Sequence, residues 1–234
     1  IDRGLVGSEM CIRDRGAPTL LSFTRFNPPN NPTNADALTF RATFDQAVQN
    51  VSALDFIDDS ATATPNLIVL SLVSPTVYDI TFSAGNLASF NGIVGVDLRP
   101  TQDITDLAGN PLPNVEPAID EQYVVDNTSP TAVSFERFNP LTSPTDDNSP
   151  EWRILFDEPV VNVSTADFDI SGATPTIRTL SQITPSEYRL EISGGDVSTF
   201  NGLVGLDLAA GQNIEDLAGN PLHQQEPATD ETYV

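Results

Sequence analysis

Leu38-Thr39-Phe40-Arg41-Ala42-Thr43-Phe44 puts Leu, Phe, Ala and Phe at alternate positions, with Thr, Arg and Thr between them. Successive side chains of an extended chain point to opposite faces, so a period of two describes a strand with one face in a core. The stretch returns in the same phase as Trp152, Ile154 and Phe156. Tyr78, Ile80, Phe82 and Tyr188, Leu190, Ile192 form a second alternating set, and Val94, Val96, Leu98 and Val204, Leu206, Leu208 a third. Thr19–Phe26, Leu67–Val73 and Gln122–Val125 are further strand candidates. Val, Ile, Thr, Phe and Tyr dominate these runs, as pleated surfaces favour. Asn91-Gly92 and Asn201-Gly202 are tight-turn dipeptides, and the 19 prolines fall mostly between the runs. No segment carries a helical stripe. The pattern predicts an all-β chain.

The strands belong to one unit written twice. Phe26-Asn27-Pro28 returns as Phe138-Asn139-Pro140, and Asn50-Val51-Ser52 as Asn162-Val163-Ser164. Asp55-Phe56 returns as Asp167-Phe168, and Asp106-Leu107-Ala108-Gly109-Asn110-Pro111-Leu112 returns unchanged as Asp216 to Leu222. The period, about 110 residues, is that of a whole domain rather than a solenoid repeat. About seven short strands per copy with frequent turn signals predict two tandem Greek-key β-sandwiches, 17–126 and 127–234; a closed barrel is the structural alternative. The second copy stops at Tyr233-Val234, where the first continues into Val125-Asp126-Asn127. It therefore reads as truncated in its last strand, and the natural chain is expected to run on.

With 33 acidic and 10 basic residues, all ten of them Arg, the net charge is −23. Nucleic acid and anionic membranes are poor partners for such a chain, because binding them requires cations to neutralise phosphates. The longest apolar run, Leu67–Val73, is far too short to span a bilayer. One Cys excludes a disulfide framework. Screening in saline surroundings would relieve the repulsion among acids.

Residues 1–16 stand apart. They have neither the apolar run nor the cleavage site of a signal peptide. Leu5 to Asp14, LVGSEMCIRD, resembles a one-frame translation of a transposase-type sequencing adapter, of the kind found at the ends of metagenome-derived reading frames. On that reading the only Met and Cys, Met10 and Cys11, are not part of the body.

The body, from Ala17 on, resembles the bacterial Ig-like repeats of large secreted and surface proteins. The residues that carry the likeness are Thr43-Phe44-Asp45-Gln46-Ala47-Val48, the turn Ile104 to Leu112, and the junction Val125 to Pro130. Copy two departs at Leu155 and Pro159. The resemblance implies two tandem Ig-like domains, an extracellular or cell-surface location, and partners that are neighbouring repeats of the chain or identical subunits. It says little about a ligand, because such sandwiches host many functions.

Chemistry is sparse. His223 is the sole imidazole, and copy one has Pro113 in its place, so a Ser-His or Cys-His pair has no second instance. N/S-ligated metal sites lack ligands. The expectation is no enzyme and no catalytic residue. Calcium, which takes six to eight oxygens, is the one cofactor expected. Its first candidate site is the junction, where Asp120, Glu121, Asp126 and Asn127 crowd the end of copy one. A weaker candidate is Asp106 and Asp216, each of which opens an Asp-Leu-Ala-Gly-Asn-Pro turn. The competing reading of that turn is structural: the carboxylate accepts main-chain N–H groups, and the Gly and Asn form a left-handed corner. Asn50, Asn162 and Asn127 head glycosylation sequons.

These readings converge on a structural repeat of an extracellular bacterial surface protein, stalk or filament, acting as a rigid spacer and able to self-assemble. The alternative is a calcium-dependent adhesin that binds glycans, and a third reading is an accessory domain of a hydrolase.

Overall fold

The computed structural model describes residues 16–60 and 62–234; the adapter-like stretch Leu5–Asp14 lies outside them. The chain divides into two compact units, one ending at Val124 and the other formed by residues 31–34 and 125–234. Among the described residues there is no α-helix, only strands and three short 3-10 turns. No helix among them is long and apolar enough to cross a membrane.

In copy one the strands are β1 (Leu20–Asn27), β2 (Ala37–Phe44), β3 (Val48–Gln49), β4 (Phe56–Asp58), β5 (Leu67–Ser74), β6 (Val77–Ser83), β7 (Gly92–Val94), β8 (Val96–Leu98), β9 (Thr105–Asp106), β10 (Ile119–Asp120) and β11 (Tyr123–Val125). In copy two they are β12 (Ala132–Asn139), β13 (Glu151–Phe156), β14 (Val160–Val161), β15 (Phe168–Ser171), β16 (Ile177–Thr184), β17 (Glu187–Ser193), β18 (Gly205–Leu208), β19 (Glu215–Asp216) and β20 (Thr229–Asp230). Each copy has a five-stranded sheet, in the order β10-β1-β2-β6-β5 in copy one and the equivalent β20-β12-β13-β17-β16 in copy two. The sheets run from one edge strand to another and do not close, which sets the barrel aside. Short pairs, β3 with β9, β4 with β8 and β7 with β11, make up the rest of copy one. These pieces raise the number of strands above seven without changing the architecture, an Ig-like β-sandwich in each copy.

The alternation read from the sequence is the core. Leu38, Phe40, Ala42, Phe44, Tyr78, Ile80, Phe82, Val94, Val96 and Leu98 are all buried, and so are Trp152, Ile154, Phe156, Tyr188, Leu190, Ile192, Val204, Leu206 and Leu208. Aromatic edges join the layers. Phe23 meets Phe56 at 6.2 Å, and their counterparts Phe135 and Phe168 meet at 6.0 Å. Phe40 meets Tyr123 at 5.1 Å, and Trp152 meets Tyr233 at 4.8 Å. These T-shaped pairs add to the burial of the rings themselves. Tyr233 also exchanges main-chain hydrogen bonds with Val204 at 2.8 and 2.9 Å, so it holds the place in copy two that β11 takes beside β7 in copy one.

The Asn-Gly dipeptide does something other than close a hairpin. Asn91 and Gly92 lead from the 3-10 turn Leu87–Ser89 into β7. Gly92 sits at φ +150, and an added Cβ would come within 2.9 Å of the Phe90 ring.

Candidate functional site

Among the described residues, three groups of acids gather carboxylate oxygens within 4.8 Å of one another: Asp97, Glu116 and Asp120; Asp207, Glu226 and Asp230; and Asp126, Glu158 and Asp216. The first two groups are one constellation occurring in both copies. In each, the first Asp lies on a short strand of the second layer (β8 or β18), and the last lies on the short strand that pairs in parallel with the opening strand of the five-stranded sheet. The Glu sits between them in the chain, and Glu226 accepts the Leu208 N–H at 2.9 Å. Burial, followed by the neighbouring negative charges, holds Asp97, Glu116, Asp120, Glu226 and Asp230 above the usual carboxylate range. In copy one Asp59 adds to that repulsion; its Oδ1 accepts the Gly95 N–H at 2.6 Å.

The third group lies within the second unit and is built on the repeated turn. Asp216 is almost fully buried, and its Oδ1 accepts the N–H groups of Ala218 and Asn220, each at 2.8 Å. Its Oδ2 accepts from Asn220 Nδ2 at 2.8 Å. The same Nδ2 donates to the Asp126 main-chain oxygen at 2.8 Å, which brings Asp126 beside the turn. Glu158 follows β13. Burial first, then the charges of Asp216, Asp126 and Asp157, hold its carboxyl above the ordinary range. Copy one has Gln46 where copy two has Glu158, and the Gln46 amide donates to the Gly16 carbonyl at 2.8 Å.

The expected junction cluster is thus distributed. Asp120 joins Asp97 and Glu116, while Asp126 joins Glu158 and Asp216. Glu121 accepts the Arg25 N–H at 2.9 Å, and Asn127 is partly buried next to Asp126 in the chain. Asp106 forms the same turn as Asp216, accepting from Ala108, Asn110 and the Asn110 side chain at 2.8 Å each. Hydrogen bonds, the Asn110 amide foremost, lower the pKa of its carboxyl. Gly109 at φ +87 and Gly219 at φ +93 provide the left-handed corner. Sequence reasoning missed Asp97, Glu116, Glu158, Asp207, Glu226 and Asp230. A signal for five of the six existed: Asp97, Glu116 and Asp120 recur as Asp207, Glu226 and Asp230 at unchanged spacing.

Two of the sequons occupy a structural motif. Asn50 and Asn162 are exposed and adopt φ +64 and +65, a region that Asn tolerates well. The sequon hydroxyls, Ser52 and Ser164, cap the 3-10 turns that follow, in capping boxes closed by buried Asp55 and Asp167. His223 lies exposed in its loop.

What the acid groups can do chemically follows from their charge. Three converging carboxylates repel one another, and either protons or an oxygen-seeking cation relieves that repulsion.

No family model matches the chain, and no curated protein matches it. Among solved structures it is similar to the Escherichia coli adhesin FdeC, at 12% identity over 88% of this chain and 62% of that one, with a TM-score of 0.40. It is similar to Yersinia pseudotuberculosis InvD at 14% identity, over 93% of this chain and 57% of that one, TM-score 0.35. Domains 5–6 of the S-layer protein SbsC are 10% identical over 82% of this chain and 93% of that one, TM-score 0.25. The chain therefore spans less than two thirds of the length of FdeC and of InvD.

Proposed function

We propose that the chain is a tandem structural module of an extracellular bacterial surface protein, a stalk or filament in which each Ig-like copy serves as a spacer. The observation that carries this reading is that the features shared by both copies serve shape. The shared aromatics are in the cores, the shared Asp-Asn turns are closed on themselves, and the shared Ser-Asp pairs cap turns. The sole imidazole, His223, has no counterpart in copy one and lies on a loop. Reading it as non-enzymatic follows from the same contrast. Neighbouring repeats or identical subunits are its partners.

Calcium belongs to the proposal as the counter-ion of the acid groups. Asp97, Glu116 and Asp120 in copy one, Asp207, Glu226 and Asp230 in copy two, and Asp126, Glu158 and Asp216 would provide carboxylate oxygens, which is the chemistry that calcium selects. Such an ion would stiffen the loops it joins.

Single-molecule pulling tests the spacer role. Two separate unfolding events of similar contour length, at forces resolved above noise, are expected. One featureless extension at low force would overturn it. Binding on a glycan array that a chelator abolishes would replace it with the adhesin reading.

A further inference from the structure

We infer that β5 is a self-pairing edge through which two copies of this chain associate, antiparallel and in a register centred on Leu70. β5 is the last strand of its sheet and hydrogen-bonds to β6 alone among the described strands. Its other side presents unpaired N–H and C=O groups, the template on which another strand can add. Edge strands are ordinarily protected by charges, prolines, bulges or shortness, and the one irregularity of β5 is confined to its end, between Leu72 and Ser74. β5 is eight residues long and contains no proline, and from Ser60 to Tyr78 the sequence has no Asp, Glu, Lys, Arg or His. In a chain of net charge −23 this strip is where an identical molecule can approach with least repulsion. Leu67, Val69, Leu72 and Val73 are exposed on it, Leu72 at 68%.

The equivalent strand of copy two shows what protection looks like here. β16 has Arg178 where β5 has Ile68, Thr179 where it has Val69, and Gln182 where it has Leu72. Arg178, which donates to the Phe168 carbonyl at 2.9 Å, puts a cation on this strand. Copy one has none of these groups, so the occupant that this chain itself offers is a second β5.

The strand is also self-complementary. A two-fold axis perpendicular to the sheet keeps each face on its own side, so opposed residues must belong to the same face. Centred on Leu70, the axis sets Leu70 against Leu70, Ile68 against Leu72 and Val69 against Ser71, the one mixed pair, while Leu67 lies opposite Val73, at the register shift between Leu72 and Ser74 near the end of β5. Ile68, Leu70 and Leu72 pair across β5–β6 with Phe82, Ile80 and Tyr78, all three buried. The new contacts would extend that core stripe.

This inference deepens the self-association in the proposed function by naming the strand. The experiment is sedimentation equilibrium of the whole chain at low and high micromolar concentration in about 0.5 M NaCl, where screening acts over about 4 Å. The expected result is a monomer–dimer equilibrium, weakened at least tenfold by Leu72→Glu and unaffected by Ile183→Glu on β16. In a Cys11→Ser background, Leu70→Cys is expected to form a disulfide dimer under mild oxidation. Leu67→Cys, which faces Val73, is expected to form far less. A monomer at every concentration overturns the inference while leaving the spacer reading standing. So does a dimer that survives Leu72→Glu, and equal cross-linking through Leu67→Cys and Leu70→Cys overturns the register. Circular dichroism of each variant confirms folding, and the exposed Leu72 and Leu67 positions keep the test open should Leu70→Cys unfold.

Discussion

Asn220 clasps Asp216 through three hydrogen bonds. Its main-chain N–H and its Nδ2 each donate to the Asp216 carboxylate at 2.8 Å, and the Asp216 N–H donates to the Asn220 carbonyl at 3.0 Å. Asn110 and Asp106 repeat the arrangement at the same distances. A buried carboxylate is tolerated here because donors surround it.

Removing the amide should therefore be costly. Asn220→Ala takes away the donor to Asp216 and to the Asp126 carbonyl, and is expected to destabilise copy two by about 1–3 kcal/mol. Urea unfolding in chelator, followed by Trp152 fluorescence, measures it. A midpoint that does not move would show that the turn contributes nothing net.

Trp152, the sole Trp, is fully buried in copy two. Its fluorescence should report that copy alone, while circular dichroism reports both. Phe40→Ala, in the core of copy one, should lower one circular dichroism transition by about 3–5 kcal/mol and leave the Trp152 transition in place. If both shift together, the copies do not fold separately.

If calcium is held by the acid groups, its binding to the folded chain must raise stability. The melting temperature is expected to rise on adding calcium and to fall with chelator. Glu158→Gln, which installs the residue copy one has, should reduce the calcium-dependent rise. In chelator the same change should raise the melting temperature, since it removes a like charge beside Asp216 and Asp126. A proton acts in the same direction. Carboxyls with raised pKa values bind protons more readily folded than unfolded, so in chelator stability should increase as the pH falls from 7 toward the raised values of Glu158, Glu116 and Glu226. Calorimetry across that range decides it; a monotonic loss of stability on acidification would contradict it.

All four tyrosines have phenols pushed up by burial, Tyr233 to about 12. Below pH 10 the phenols are neutral in both states and their contribution is whole. As the pH climbs from about 10 toward 12 the unfolded chain ionises first, and stability falls by about 1.4 kcal/mol per pH unit for each fully protected phenol. Near-ultraviolet phenolate absorbance should lag behind free tyrosine and then jump with unfolding. Titration along the free-tyrosine curve without unfolding would contradict the burial of these rings.

The sequons show how a repeated motif can be read two ways. Asn-Val-Ser matches a glycosylation signal, yet the Ser hydroxyl accepts a main-chain N–H, from Leu54 at 3.2 Å in copy one and from Ala166 at 3.3 Å in copy two. The fold alone supplies a reason for the recurrence.

By itself the sequence determined the longer strands, their buried faces and the duplication, because alternation is a local property of an extended backbone and survives any arrangement of the strands. It also marked the Asp-Asn turn, whose bonds span four residues. Which acids meet was decided only by tertiary structure. Asp126, Glu158 and Asp216 are far apart in the chain and converge through the fold of the second unit, and Asp97 reaches Asp120 through the layering of short strands. The same holds for β5. Its residues are as apolar as those of β2, but the order of strands leaves one at the open edge of the sheet and the other in its middle, and position in the sheet is a long-range outcome that no local pattern encodes.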